Sequence, residues 1–177
     1  MRELNRTIEA RPARVSRFFP AAEYSTVIAT PWPGLKLGIA ANDRAITSID
    51  YLPEAAHDVR ARSALAAEAV RQLRCYFRDP HHIFVLPLAP SGTEFQRRVW
   101  SALRRIPAGT ALSYGVLALR LGSGARAIGG ACRANPISLV IPCHRVVGRN
   151  GLGGFMGVAA GRSLDTKRWL LAHESAS

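Results

Sequence analysis

The hydrophobic pattern of this 177-residue chain changes near residue 91, and that change limits the possible folds more than any other feature. Before it, the β-favouring runs YSTVIA (24–29), LKLGIA (35–40) and AITSIDY (45–51) are separated by turn signals. After it, apolar residues recur at helical spacing. We therefore expect an α+β protein with an N-terminal α/β lobe over 21–90 and a mainly helical lobe over 91–177.

The N-terminal lobe is predicted to be a three-stranded antiparallel meander covered by one helix. Apolar residues within 58–78 have helical spacing, which indicates a helix able to cover one face of the sheet. IFVLPL (83–88) then returns as extended chain. Residues 1–20 mix charged and small residues without a sustained period, and we expect a flexible arm there.

The C-terminal lobe is predicted to begin with a helix, because Ser91 and Glu94 have the spacing of a capping box. Its apolar stripe would be Phe95, Val99, Leu103 and Ile106, with Arg97, Arg98, Arg104 and Arg105 near solvent. Pro107-Ala108-Gly109 would end this helix.

Two short helices joined by glycines follow. Ser113 is expected to cap a helix over 114–121, and Gly122-Ser123-Gly124 separates it from a second helix over 125–134. This is the outline of a helix-turn-helix or winged-helix-like DNA-binding element. The second helix is rich in Gly and Ala, so it can approach either a DNA groove or a neighbouring helix closely. Arg126 at its start either reaches into a base stack or is simply solvated.

The positive charge is concentrated in the second half of the chain. Residues 1–91 hold 12 Arg and Lys against 9 Asp and Glu, whereas residues 92–177 hold 12 against 3, so +3 and +9 add up to the net charge of +12. Such an excess favours a polyanionic partner, since phosphate neutralisation releases counterions. A generally basic proteome would also explain it, because 22 of the 24 basic residues are Arg.

The cysteines and the start of the chain indicate the compartment. Cys75, Cys132 and Cys143 form no CxxC pair, which argues against a disulfide framework and a structural zinc site. The charged N-terminus has no apolar block of a secretory signal, and no apolar run reaches about 18 residues. We expect a cytoplasmic protein that binds no metal.

Cys143 and His144 are the candidate chemical centre. A strand-like run, SLVI (138–141), precedes them, and a neighbouring histidine can generate a thiolate directly or through a water. Neighbouring side chains on extended chain face opposite ways, which favours the water. Glu174 is the candidate carboxylate that orients the imidazole. A buried core cysteine, a Cys-His metal pair and a solvated Glu174 remain alternatives. Asn150-Gly151 indicates a tight hairpin.

IPCHRV (141–146) resembles the active-site signature of the O6-alkylguanine-DNA alkyltransferases. The resemblance extends through TEFQRRVW (93–100), SYG (113–115), RAIGGACRANP (126–136) and WLLAHE (169–174), in the family's order. About half of the chain is covered in this way. The first lobe resembles that family, whose N-terminal unit is ribonuclease-H-like, only in layout.

The resemblance implies DNA repair without a cofactor by a monomer that acts once on double-stranded DNA, moving the alkyl group of O6-alkylguanine, or of O4-alkylthymine, to Cys143. His144 then resembles the water-mediated base, Glu174 the carboxylate behind it, and Asn135 a structural residue of the pocket. Tyr114 resembles the residue that assists nucleotide rotation and protonates the leaving guanine. The DNA-binding residues implied are Arg126 as the finger, with Thr93, Tyr114, Gly115, Ala127, Arg133 and Arg149. Those implied for the substrate pocket are Pro142, Val146, Phe155 and Met156.

Three departures from the family's pattern affect the pocket wall. Phe155 stands where the family often has tyrosine, Met156 is bulkier than the usual small residue, and the stretch 157–168 is longer than expected. Three other classes compete with the alkyltransferase reading. A non-catalytic lesion-binding relative would lack the cysteine, a helix-turn-helix regulator would need a further domain, and a redox or zinc protein would need more cysteines or ligands.

Overall fold

A computed structural model describes residues 24–157 and 162–175. The predicted arm over 1–20 lies outside these residues. The described part is a mixed helix and sheet structure, which confirms the α+β prediction. The lobe boundary near residue 91 stays a prediction.

The first three strands form the expected meander. They are β1 (Thr26–Ala29), β2 (Leu35–Ala41) and β3 (Ile46–Pro53), which pair antiparallel in sequence order. Alternation along the strands places Leu37, Ile39 and Ile49 on the buried face, where each is 0% exposed. This face forms the part of the core that the first helix covers.

Helix α1 (Ala64–Arg78) begins six residues later than the predicted start at 58. Ser63 caps it by accepting a hydrogen bond from the Ala66 N–H at 3.1 Å. The residues before the cap run beside β1 instead, because Val27 and Val59 exchange backbone hydrogen bonds. The stretch 83–88 stays outside the sheet except for a bridge between Leu88 and Ile46.

Helix α2 (Glu94–Leu103) begins at a different cap from the predicted one. The capping box consists of Thr93 and Gln96, whose side chains bond each other's backbone N–H at 3.2 and 2.8 Å. The prediction of Ser91 with Glu94 was wrong by two residues, because both pairs have the same spacing and sequence does not decide between them. The four stripe residues pack into or against the core and the four predicted arginines are exposed, but α2 ends at Leu103, so Ile106 lies beyond the helix and the predicted end at Pro107-Ala108-Gly109 was four residues too late.

The helix-turn-helix prediction agrees closely with the structure. Helix α3 (Tyr114–Arg120) begins at the Ser113 cap, and α4 (Ala125–Arg133) follows the glycine turn. Strand β4 (Leu112–Ser113) pairs parallel with β5 (Val146–Val147), and α5 (Arg162–Ser175) is the last helix described. No helix in the described ranges has the length and apolar content needed to cross a membrane.

The segment between α4 and β5 differs from the prediction. Residues 138–141 form turns rather than a strand, and Cys143–Arg145 form one 3-10 turn. The segment is held instead by β3, because the Ile49 N–H donates to Pro136 O at 2.9 Å and the Ser138 N–H donates to Ile49 O at 3.1 Å. The tight turn that follows has Arg149 and Asn150 at its centre, between the bridged Gly148 and Gly151, one residue earlier than predicted.

Candidate active site

Cys143 begins the 3-10 turn and is held there by local hydrogen bonds. Its N–H donates to Ile141 O at 2.8 Å. The Asn135 side chain donates to the same carbonyl at 2.8 Å and accepts from the Ile137 N–H at 3.0 Å. Asn135 therefore links the end of α4 to the cysteine turn and fixes the position of the thiol.

A cavity of about 450 Å³ lies beside Cys143. Its walls come from α3, α4, the cysteine turn and the segment before α5. The lining residues are Tyr114, Ala125, Arg126, Gly129, Cys132, Arg133, Cys143, Gly154, Phe155, Met156 and Gly157. The volume lies in the range of small-molecule sites, so the half-buried thiol faces a space large enough for a ligand group.

Behind Cys143, a buried carboxylate collects four hydrogen bonds. Glu174 Oε1 lies 2.8 Å from His144 Nε2, and it accepts from the Tyr76 hydroxyl and Arg145 Nη2 at 2.8 Å each. Glu174 Oε2 accepts from Arg145 Nε at 2.9 Å. Glu174 and His144 are each 1% exposed at the side chain, so the pair lies in a protein interior that strengthens its electrostatics.

The charge states of this pair follow from the opposing effects of burial and neighbours. Burial raises the pKa of Glu174, but hydrogen bonds from His144 and Arg145 and their charges outweigh it and hold the pKa at about 2. Burial also lowers the pKa of His144, against the opposing influence of Glu174. The ground state is therefore a neutral imidazole beside an ionised carboxylate. Since Nε2 then donates to Glu174, Nδ1 is free to accept a proton.

The thiol itself is protonated at rest. Burial raises the pKa of Cys143, while the Asn135 side chain and the positive charge of Lys167 oppose that increase. Lys167 is 0% exposed, and its Nζ donates to Val146 O and Leu152 O at 2.7 Å each and to Gly154 O at 3.2 Å. Ionisation of Cys143 therefore needs a base, and Lys167 supplies a fixed positive charge that favours the thiolate.

Comparison with known proteins identifies the family. The sequence model described as "6-O-methylguanine DNA methyltransferase, DNA binding domain" matches residues 94–176. The "Methylated-DNA--protein-cysteine methyltransferase" of Methanosarcina barkeri is 39% identical over 143 residues, which cover 77% of this chain and 88% of the relative. The chain belongs to this methyltransferase family.

Other members of the methyltransferase family agree with this assignment. The one from Salmonella typhimurium is 54% identical over 95 residues, 52% of this chain. The match spans only about half of that relative's length, 53%. A crystal structure of the Mycobacterium tuberculosis O6-methylguanine methyltransferase covers 85% of this chain and 92% of its own, with a TM-score of 0.68 and 33% identity. The same protein in complex with DNA gives a TM-score of 0.68 at 35% identity, over 85% of this chain and 91% of its own.

The structure places the five predicted catalytic residues of this chain in one region around Cys143. Cys143 and Tyr114 line the cavity, with His144 and Glu174 behind the thiol and Asn135 bracing the turn. The Tyr114 hydroxyl donates to Gly154 O at 3.3 Å, and burial, followed by the nearby cysteines, raises the pKa of Tyr114 to about 12. Their individual roles stay predictions.

Three of the predicted DNA-binding residues line the cavity beside Cys143, and the other four are exposed at the protein surface. Those that line the cavity are Tyr114, Arg126 and Arg133, and the exposed ones are Thr93, Gly115, Ala127 and Arg149. The structure also tests whether the glycines of α4 are needed for close packing against a neighbouring helix. A Cβ built at Gly130 meets no atom within 4 Å, and one at Gly129 meets only Tyr114 at 4.0 Å. Internal packing therefore does not require glycine at either position.

The four predicted pocket residues separate into two groups. Phe155 and Met156 line the cavity. Val146 lies fully buried in β5 and Pro142 lines a second cavity, so neither belongs to the lining of the cavity beside Cys143, and their contact with substrate stays a prediction. Met156 has a φ of 54°, a left-handed backbone conformation that favours glycine and that other residues rarely adopt. The predicted lengthening over 157–168 lies partly outside the described residues.

Sequence reasoning missed three residues of the buried network. Tyr76 and Arg145 bind Glu174, and Lys167 binds the carbonyls around the cavity. Arg145 lies within the IPCHRV signature, which was a usable signal. Tyr76 falls within the predicted helix over 58–78, where its hydroxyl gave no separate signal, and Lys167 was one cation among many. Within the described residues, no group of three or more His, Cys, Asp or Glu is arranged to hold a metal ion.

Proposed function

We propose that the protein repairs O6-alkylguanine in double-stranded DNA by moving the alkyl group to Cys143 in a single irreversible event. One observation carries the proposal. The thiol lines a cavity with a neutral, carboxylate-held histidine next to it in the chain and an exposed arginine at the cavity mouth.

The first step is removal of the thiol proton. His144 Nδ1 is buried and has no hydrogen-bond partner among the described residues. We infer that a water relays the proton from Cys143 Sγ to this nitrogen, as general base catalysis requires an acceptor within one water of the donor. Glu174 stabilises the imidazolium that forms, and the charge of Lys167 stabilises the thiolate.

The second step is an in-line displacement. The Cys143 sulfur attacks the alkyl carbon, the bond between that carbon and O6 breaks, and guanine leaves with the electron pair. Tyr114 is protonated at neutral pH and lines the cavity, so its hydroxyl can donate a proton to the departing base. The product is a thioether that no step reverses, so each molecule reacts once and needs no cofactor.

The substrate atom must leave the base stack before the sulfur can reach it. Flipping a nucleotide costs a few kcal/mol, and less for a poorly paired lesion. Helix α4 presents the glycine surface that a groove would accept, and Arg126 at its first turn would fill the gap in the duplex. The basic second half of the chain would hold the phosphates.

We also propose that the protein acts as a monomer in the cytoplasm. All three cysteines are free. A reducing compartment would keep Cys143 as the thiol that the transfer requires. One Cys143 and one cavity in a single chain would suffice for the reaction.

The test is incubation with duplex DNA that carries methyl-labelled O6-methylguanine, followed by peptide mapping. Label should move to the peptide that contains Cys143, at no more than one equivalent. Cys143→Ser should remove the transfer, whereas the control Cys75→Ser should retain it, because Cys75 lies outside the cavity lining. Label that stays on DNA in the presence of folded protein that binds this DNA would contradict the proposal and favour a lesion-binding function.

A further inference from the structure

Tyr51, on β3 in the first lobe, reaches toward the active site from behind. Ile49 on the same strand is hydrogen-bonded to the segment before Cys143. Tyr51 follows two residues later, so its side chain leaves the sheet on the same face. Its ring meets the Phe155 ring edge-on with centroids 5.8 Å apart, and Phe155 lines the cavity. Tyr51 is 3% exposed, so it lies buried behind the cavity wall.

Two buried polar atoms near Cys143 have complementary hydrogen-bonding roles, one as a donor and the other as an acceptor. The Tyr51 hydroxyl and His144 Nδ1 each have no hydrogen-bond partner within the residues that the structure describes. The hydroxyl is a donor, and Nδ1 of the neutral ring is an acceptor. Burying such groups unpaired is costly, and a buried water typically satisfies about three polar groups at once. A single water shared by both groups and by the thiol would satisfy all three.

We propose that the Tyr51 hydroxyl is a positioning group for the water that carries the Cys143 proton to His144. This inference rests on the proposed function. The water oxygen accepts hydrogen bonds from the Cys143 thiol and the Tyr51 hydroxyl, and one of its hydrogens points at Nδ1. On reaction the water takes the thiol proton and gives its own to Nδ1. Tyr51 keeps its proton, and the products are a thiolate and an imidazolium.

The surrounding charges are consistent with Tyr51 as a donor. Burial, then the proximity of Cys143 and of Tyr76, raises the pKa of Tyr51 well above its usual value. The other groups that interact with Cys143 are Asn135, Lys167, Cys132 and Tyr114. These four residues belong to the second half of the chain. The first lobe contributes Tyr76, which binds Glu174, and Tyr51, which lies behind the cavity wall.

A competing arrangement involves Trp32. Its indole N–H is likewise buried without a partner among the described residues, and its ring centroid lies 6.3 Å from that of Tyr51. A water held between Trp32 and Tyr51 would leave the thiol unaffected. Only the arrangement with His144 couples the Tyr51 hydroxyl to the ionisation of Cys143, so the titration of the thiol distinguishes the two.

The experiment is Tyr51→Phe in the full chain, which keeps the ring and removes the hydroxyl. The rate of Cys143 alkylation by iodoacetamide is followed from pH 5 to 10 by peptide mapping, beside transfer from free O6-benzylguanine. The pH midpoint should rise by about half a unit to one unit, and the rate at pH 7 should fall roughly three- to tenfold. The control Tyr24→Phe alters a tyrosine in the same lobe whose hydroxyl binds Asp50, and should leave the midpoint unchanged.

A second variant gives the opposite sign. Site-specific 3-fluorotyrosine at position 51 keeps the hydroxyl and makes it a stronger donor, so the midpoint should fall. An unchanged midpoint in folded Tyr51→Phe, or in the fluorotyrosine protein if Tyr51→Phe does not fold, overturns the inference. Failure of the proposed function is distinguishable, because wild-type protein would then accept no benzyl group, while iodoacetamide still reports the ionisation of Cys143.

Discussion

The substitution Glu174→Gln tests the buried network most directly. Glu174 accepts hydrogen bonds from Tyr76, His144 and Arg145, and the side chain is 1% exposed. Gln is nearly isosteric, but it removes the charge and turns an NH₂ group toward other donors. Removing one partner of a buried ion pair typically costs about 3–5 kcal/mol. The pKa shift of Glu174 gives a similar free energy, because a fall in pKa from 4.5 to about 2 corresponds to roughly 3 kcal/mol.

The pH dependence has a definite sign. The pKa of Glu174 is lower in the folded protein than in the unfolded chain. The contribution of its carboxylate to folding stability is therefore complete above about pH 5 and is lost as the pH falls toward 2. Urea denaturation should show Glu174→Gln destabilised by about 3 kcal/mol at pH 7, with a melting temperature lower by about 6–12 °C. The difference from wild type should narrow steadily below pH 5.

The matched control is Glu68→Gln. Glu68 also has a pKa of about 2, through hydrogen bonds from Arg71 and Gln72, but it lies at the surface, where ion pairs contribute little. Its replacement should change stability far less than Glu174→Gln does. A Glu174→Gln protein that is equally destabilised at pH 3 and pH 7 would refute the reasoning, since the loss would then come from shape rather than charge.

Three further predictions concern DNA. Arg126→Ala should slow duplex repair at least about tenfold and leave the reaction with free O6-benzylguanine almost unchanged, because only the duplex requires a flipped nucleotide. The control is Arg74→Ala, which removes one exposed charge from α1. Equal losses of rate on both substrates would exclude the finger role of Arg126. Gly130→Ala should raise the free energy of unfolding by about 0.5–1 kcal/mol, since no atom blocks the added methyl group. The same substitution should weaken duplex binding in a gel-shift assay, and unchanged binding would exclude entry of this residue into a DNA groove. Duplex affinity should fall steeply with salt, and an affinity that is insensitive between 50 and 200 mM would contradict the role of the basic half.

The sequence predicted elements best where local signals dominate. Ser113 and the glycine turn defined α3 and α4 within a residue, because a cap and a glycine act on their own backbone. Local signals failed where distant contacts decide. SLVI reads as a strand, but hydrogen bonds to Ile49 on β3 hold its neighbourhood in turns, and Leu139 takes a φ of 68°. The start of α1 was missed for the same reason, since Val59 pairs with β1.

Sequence alone determined which chemistry is present. A cysteine followed by a histidine, a glycine-rich helix and a surplus of arginine are properties of residue types, and their order along the chain suffices to indicate a nucleophile and a polyanionic partner. Only the tertiary structure decided which groups act together. Tyr76, Arg145 and Glu174 are up to 98 residues apart, and their meeting around His144 depends on how α1 and α5 pack. The charge states of these side chains follow from their contacts, because burial and neighbouring groups set a pKa. Neither the burial nor the neighbours can be read from the sequence around the residue.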